Sequence, residues 1–189
     1  MKPIQRRAQR AAAGFSLVEV VMTLAIGLIM VSVALPMVVN ALQGYRLNSI
    51  VQQASSLMSL ARASAIRRNA VVSLLTTSPN GTTILYIDLN GNGKLDPNEP
   101  RLMLPNDMTI TNAPDPKSMN IGSTQKFTTG IAFDYRGAVY FNGGGPINTY
   151  FLAIGYTNQL QYGSRAVTVS PMGQAKVWIA PPSGTWTGM

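Results

Sequence analysis

Apolar and polar residues change their spacing along the chain, and each change marks an element. Val20 to Tyr45 is a run of 26 residues without a charge, and Phe15 to about Val38 is apolar apart from Glu19, Thr23, Ser32 and Pro36. A bilayer core of about 30 Å needs about 20 apolar residues as a helix, so this stretch predicts one membrane span. From Ala41 onward, Leu47, Ile50, Val51, Ala54, Leu57, Met58, Ala61 and Ala65 recur at three- and four-residue spacing, while Asn48, Ser49, Gln52, Gln53, Ser55, Ser56, Ser59 and Arg62 fill the other face. That spacing predicts an amphipathic helix. Together the halves predict one helix from Phe15 to about Arg68, about 80 Å long at about 1.5 Å per residue, its second half packed on a β-sheet.

After Asn69 the pattern turns to strands. Val71–Thr77 and Thr82–Asp88 are rich in β-branched residues and flank Ser78-Pro79-Asn80-Gly81, a hairpin signal because Asn-Gly accepts positive φ at little steric cost. Further short strands are expected at 101–104, 108–111, 127–133, 138–141, 150–157, 165–170 and 176–180. Turn chemistry separates them at Pro105-Asn106-Asp107, Arg136-Gly137, Asn142-Gly143-Gly144-Gly145-Pro146 and Pro171-Met172-Gly173. Residues 112–125, with Pro114, Pro116 and Gly122, read as a loop, and 181–189 as a flexible tail. The expected fold class is α+β: a long N-terminal helix packed on a small antiparallel β-sheet domain.

Charge fixes the direction of the span. Lys2, Arg6, Arg7 and Arg10 precede it with no acid among them, so the positive-inside rule leaves the N-terminus in the cytoplasm and exports the β-domain. A secretory signal would be cut after its apolar run at a small-x-small site, and Ala34-Leu35-Pro36-Met37-Val38 offers none. Glu19 is costly in a plain anchor, about 2.5–3.5 kcal/mol on insertion scales, and calls for a cationic partner.

The segment Gly14-Phe15-Ser16-Leu17-Val18-Glu19, with its basic leader and following apolar helix, resembles the class III signal of type IV pilins and type II secretion pseudopilins. The resemblance implies that a prepilin peptidase cuts after Gly14 and N-methylates Phe15. It also implies that Glu19 pairs with the N-terminal amine of a neighbouring subunit, since an α-amino group with an ordinary pKa of about 7.7–8.0 is mostly protonated at neutral pH. Pro36 falls where pilins carry a helix-bending proline, and proline removes a helical donor. The run Ala61–Asn69, the Val-rich strand after it, the acidic Asn/Gly turn and Val167–Gly173 are similar to the GspH/FimT group of minor pilins and pseudopilins, low-abundance subunits at or near the filament tip. The implied partners are the peptidase, other pilin or pseudopilin subunits and the inner membrane. Some pilus members of the group bind DNA through basic residues after the Pro-x-Gly turn; here Gln174, Ala175 and Lys176 follow, so the Arg-rich version is absent.

One motif carries site chemistry. Asp88 to Glu99 matches the twelve-residue EF-hand calcium loop at every ligand position. Asp88, Asn90 and Asn92 would supply side-chain oxygens, Gly93 the sharp turn, Lys94 a carbonyl, and Asp96 and Glu99 the remaining ligands. The flanks are a strand and Pro100, so no helix-loop-helix pair exists. The alternative is a polar hairpin loop rich in Asn and Gly for turn reasons alone.

Composition narrows the rest. The net charge of +8 includes four leader cations; after cleavage eleven Lys/Arg face seven Asp/Glu, leaving +4 before the terminal groups. No Cys and no His occur, which removes disulfides, thiol nucleophiles and histidine bases, and the Gly143-Gly144-Gly145 run lacks the Lys-Ser/Thr of a phosphate loop. An enzyme is not expected. The sequence divides into a leader at 1–14, a helix at 15–69 spanning the membrane to about 38, a periplasmic β-domain at 70–180 and the tail. Three functions compete: a structural filament subunit, a DNA-uptake receptor using Arg67, Arg68, Arg165 or Lys176, and a calcium-dependent adhesin or sensor.

Overall fold

The computed structural model describes residues 15–111, 119–127, 130–140, 148–158, 160–182 and 184–189. The leader with Gly14, the first half of the 112–125 loop and the glycine turn at 142–146 lie outside them. The chain forms two compact units, Met1–Ala41 and Leu42–Met189.

Helix α1, Leu17–Arg68, runs through both without a break at Pro36. In the first unit every residue from Phe15 to Ala41 is exposed, and the helix is apolar and long enough there to cross a membrane. Its two hydroxyls satisfy themselves: Thr23 Oγ1 donates to the Val20 carbonyl at 2.9 Å and Ser32 Oγ to that of Ile29 at 2.8 Å. Polar groups bonded within their own helix suit a medium without water.

In the second unit α1 buries Leu47, Val51, Ala54, Leu57, Met58, Ala61 and Ala65, the stripe that its spacing predicts. It ends in a tight cap. Asn69 adopts φ 51°, Ala70 N–H donates to the Ala65 carbonyl at 3.2 Å and Asn69 N–H to that of Ile66 at 3.3 Å. This is the left-handed C-terminal motif that glycine and asparagine favour.

Two sheets share that helix face, where one is expected. The first orders as β3-β2-β1-β6-β7, with β1 Val72–Thr77, β2 Ile84–Asp88, β3 Arg101–Met103, β6 Gly130–Phe133 and β7 Val139–Tyr140, all antiparallel. The second orders as β11-β10-β9-β8-β4, with β4 Met108–Ile110, β8 Thr149–Tyr156, β9 Ser164–Val169, β10 Ala175–Ala180 and β11 Thr187–Gly188. The β1–β2 hairpin forms as predicted, with Asn80 at φ 54° and Gly81 at φ 80° in its connection. Alternation assigns each strand face: Leu152, Ile154, Val167, Val169 and Val177 join the helix-side core with Leu74, Ile87 and Phe133. The opposite parity of the second sheet builds a smaller core of Met119, Phe151, Ala153, Ala166, Trp178, Ala180 and Trp186.

Two expectations are corrected here. Thr124–Lys126, whose first two residues fall within the expected loop, is strand β5, paired parallel to the first part of β8 while β4 pairs antiparallel to the last part. The tail is not loose: β11 pairs with β10, Met189 N–H donates to the Val177 carbonyl at 3.0 Å, and Trp186 is 5% exposed, edge-on to Phe151 at 5.5 Å and 84°. An indole covering an apolar face outweighs the turn-rich composition around it. Trp186→Ala is expected to cost about 3 kcal/mol, the low end for emptying a buried Trp site because the strap can relax. Thermal melting of the full chain in detergent checks this; an unchanged midpoint would mean that the strap is undocked in solution.

Candidate functional site

Three sets of residues come forward, and the fold treats them differently. The first is at the start of α1. Ser16 offers its carbonyl to the Val20 N–H at 3.2 Å, and Glu19 lies in the first turn, where unpaired N–H groups and the helix dipole favour an anion. Phe15 precedes it, exposed. Past Glu19, the unit presents apolar side chains all around the helix.

The second is the loop between β2 and β3. Asp88, the last residue of β2, is 4% exposed, and Glu99 is 7% exposed. The Asp88 carboxylate gathers the loop by accepting from Gly91 N–H at 2.7 Å and Asn92 N–H at 3.2 Å on one oxygen and Gly93 N–H at 2.8 Å on the other. Glu99 closes it from the far end, accepting from Leu89 N–H at 2.9 Å and Asp96 N–H at 3.1 Å. Gly91 and Gly93 take φ of 74° and 69°, which the winding requires. Asp96 draws in both asparagines, whose amide nitrogens donate to its Oδ2 at 2.7 and 2.8 Å.

Neighbouring elements brace this loop. Tyr86 Oη donates to the Gly93 carbonyl at 3.0 Å, and Arg68, at the end of α1, donates to the Leu89 carbonyl at 2.9 Å. Burial pushes the Tyr86 phenol up from its ordinary pKa, with the charges of Asp88, Glu99 and Asp96 adding to the effect. Among the described residues no group of three or more His, Cys, Asp or Glu forms a ready metal site. Hydrogen bonds nevertheless link the predicted loop residues to one another, and the donors they could offer are all oxygen: three carboxylates, two amide oxygens and a carbonyl. Oxygen donors in that number suit calcium rather than a transition metal. Ligation would require Asn90 and Asn92 to turn their oxygens toward Asp96.

The third set, the candidate DNA contacts, is not brought together. Arg67 is exposed, while Arg68 is committed to the loop. Arg165 shares the helix-side face of β9 with Val167 and donates to Asn48 Oδ1 at 2.6 Å; burial lowers its pKa. Lys176 shares the opposite face of the sheet with Trp178 and sits over its ring at 4.5 Å. Strand parity puts Arg165 and Lys176 on different faces.

A further residue has no counterpart among the sequence-based candidates. Arg62 Nε donates to the Gly137 carbonyl at 2.9 Å, and Val139 N–H donates to the Pro171 carbonyl at 3.0 Å, which ties the β6–β7 turn to the β9–β10 turn beside α1. Gly137 at φ 78° and Gly173 at φ 75° make the approach. The signal was the pair of glycines, each legible only as a turn.

Comparison with known proteins follows the same division. The family model described as type II transport protein GspH matches residues 51–173, and the prokaryotic N-terminal methylation motif matches residues 9–35. A crystal structure of the type IV minor pilin FimU of Pseudomonas aeruginosa in space group P21 aligns with a TM-score of 0.50 at 16% identity, covering 75% of this chain and 92% of that one. A second crystal form of that protein, in space group P65, gives 0.48 at 16% identity, covering 74% and 96%. No curated protein matches the chain in sequence.

Proposed function

The chain belongs to the GspH family of type II transport proteins, and from that premise we propose that it is a minor subunit of a secretion pseudopilus or type IV pilus, held in the inner membrane until it is assembled. The observation that carries this reading is the first unit: a methylation motif over residues 9–35 leads directly into a helix whose apolar surface is exposed on all sides. Such a surface needs lipid before assembly and neighbouring helices afterwards. Peptidase would cut after Gly14 and methylate Phe15, and Glu19 would then pair with the amine of an adjacent subunit. The pair forms only in register, so the costly acid becomes an assembly check. Under the positive-inside rule the leader cations would keep the N-terminus in the cytoplasm, with the β-domain in the periplasm. The role is structural, with no catalytic step assigned to any residue.

Intact mass tests this on the membrane-extracted chain expressed with its peptidase. The expected product lacks residues 1–14 and carries one added methyl group, and Gly14→Val abolishes both changes. An uncut wild-type chain beside processed substrates would sink the proposal.

A second reading concerns the β2–β3 loop. We infer that Asp88, Asn90, Asn92, the Lys94 carbonyl, Asp96 and Glu99 take a calcium ion whose role is to pin the loop in a domain without disulfides. The all-oxygen donor set, with both asparagine amides already drawn to Asp96, supports it. DNA uptake is the weaker reading, because Arg165 and Lys176 lie on opposite faces of one sheet.

A further inference from the structure

We propose that the end of the domain formed by the β6–β7 and β9–β10 turns is a docking surface for an acidic segment of a neighbouring filament subunit; this rests on the chain being a filament subunit. The base of the surface is rigid. Two turns from different sheets are tied by Val139 to Pro171, and Arg62 is clamped on the Gly137 carbonyl. Neither glycine has room for a side chain: a Cβ on Gly137 would lie 2.7 Å from Ile66 Cδ1, and one on Gly173 would overlap the Gly137 carbonyl oxygen. Packing this tight is more than two solvent loops require, and a prefixed surface loses little entropy on binding.

Tyr135, Ile66 and Met172 stand on this base, between 49% and 71% exposed. Arg136 lies over the Tyr135 ring at 5.1 Å. Beside them a cleft of about 440 Å³ runs between α1 and the β9–β10 turn, lined by Ser59, Arg62, Ile66 and Gln174 among others. The local acid, Asp134, turns one carboxylate oxygen to the N–H groups of Arg136 and Ala138, both at 2.9 Å. Tyrosine, methionine and arginine together are the enrichment of protein–protein interfaces, and tyrosine and arginine are the residues that carry most of their binding energy. A nucleic-acid track needs cations spaced along a groove, and Arg68, Arg165 and Lys176 are engaged elsewhere, with Leu89, Asn48 and Trp178.

Charge sets the partner. Arg62 and Arg136 make the surface cationic, so its complement is a segment with exposed carboxylates. Helical filaments grow through contacts between two different patches on successive subunits, and a cationic aromatic patch against an acidic one fulfils that requirement.

The test places a photo-crosslinking residue at Met172 in the full-length chain, expressed in membranes with its peptidase and the other subunits bearing the same N-terminal motif. Mass spectrometry of the adducts is expected to find an acidic peptide of another methylated subunit. Arg136→Glu should lower the yield about tenfold, the loss of one charge-assisted contact, and Tyr135→Ser should lower it as well. Adducts confined to lipid or nucleic acid, or a yield indifferent to both substitutions, would overturn the proposal if the chain is still recovered in filaments. A chain neither cut nor methylated would instead remove the filament reading, and this partner with it.

Discussion

Replacing Asp88 with alanine is expected to lower the stability of the β-domain by about 2–4 kcal/mol, because three backbone donors lose one acceptor at once. The N–H groups of Gly91, Asn92 and Gly93 all converge on this carboxylate. Leaving a buried donor unmet costs about 1–3 kcal/mol, and the total is discounted because water reaches the exposed loop. Asp88→Asn keeps one acceptor oxygen and should fall between the two. Calcium adds a separable effect. At about ten to one hundred times a dissociation constant in the 10⁻⁴–10⁻³ M range of extracellular sites, bound ion stabilises by about 1.4–2.7 kcal/mol. Wild type should therefore melt higher in calcium than in chelator, and Asp88→Ala should melt alike in both. If wild type is indifferent to calcium, the ion is ruled out and the loop is a hydrogen-bonded turn only. If the variant enters filaments normally once its stability is restored by lower temperature, calcium is a staple; a persistent assembly defect would favour the sensor reading.

Why this loop was legible in sequence, and other parts were not, follows from sequence separation. All its donors lie within twelve residues, from Asp88 to Glu99, so spacing alone constrains them. The helix is local in the same sense: three- and four-residue periodicity picked out Leu47, Val51, Ala54, Leu57, Met58, Ala61 and Ala65, all buried. Strand β5 is the opposite case. Thr124–Lys126 is polar and takes its conformation from the edge of β8, with Gln125 opposite Tyr150. Nothing in three polar residues announces a partner that distant. Trp186 was masked by Pro181, Pro182 and Gly184, because composition records what a segment avoids forming alone and not what it covers.

The cation set holds a subtler lesson. Arg165 alternates in step with Val167 and Val169, which places it on the core side of β9, whereas Lys176 alternates with Trp178 on the outer side. That parity was readable once both strands were aligned. What was not readable is that the second sheet has two apolar faces, one under α1 and one under the tail. Only that arrangement makes the outer face a structured surface rather than a solvated one.

The joint at Gly173 gives the other large expected effect. Gly173→Ala should destabilise the domain by about 3–5 kcal/mol, through three contributions that the geometry separates. A non-glycine residue in the left-handed region costs about 1–2 kcal/mol. The added Cβ overlaps the Gly137 carbonyl oxygen and comes within 2.9 Å of Arg62 Nε, so the β6–β7 turn must retreat. That retreat stretches the bond from Arg62 to Gly137, and a hydrogen bond from a charged donor contributes about 1.5–3 kcal/mol. Gly81→Ala is the control: its φ is 80°, and its added Cβ would meet nothing within 4 Å, so it carries the backbone cost alone. Urea midpoints of the two variants should differ by the overlap and the lost bond, about 2–3 kcal/mol. Equal losses would mean that the turns touch without supporting each other, and the rigid base of the docking surface would go with them. A Gly173→Ala loss that Arg62→Gln reproduces in part, with the double variant adding less than the sum, would show that helix, turn and turn act as one unit.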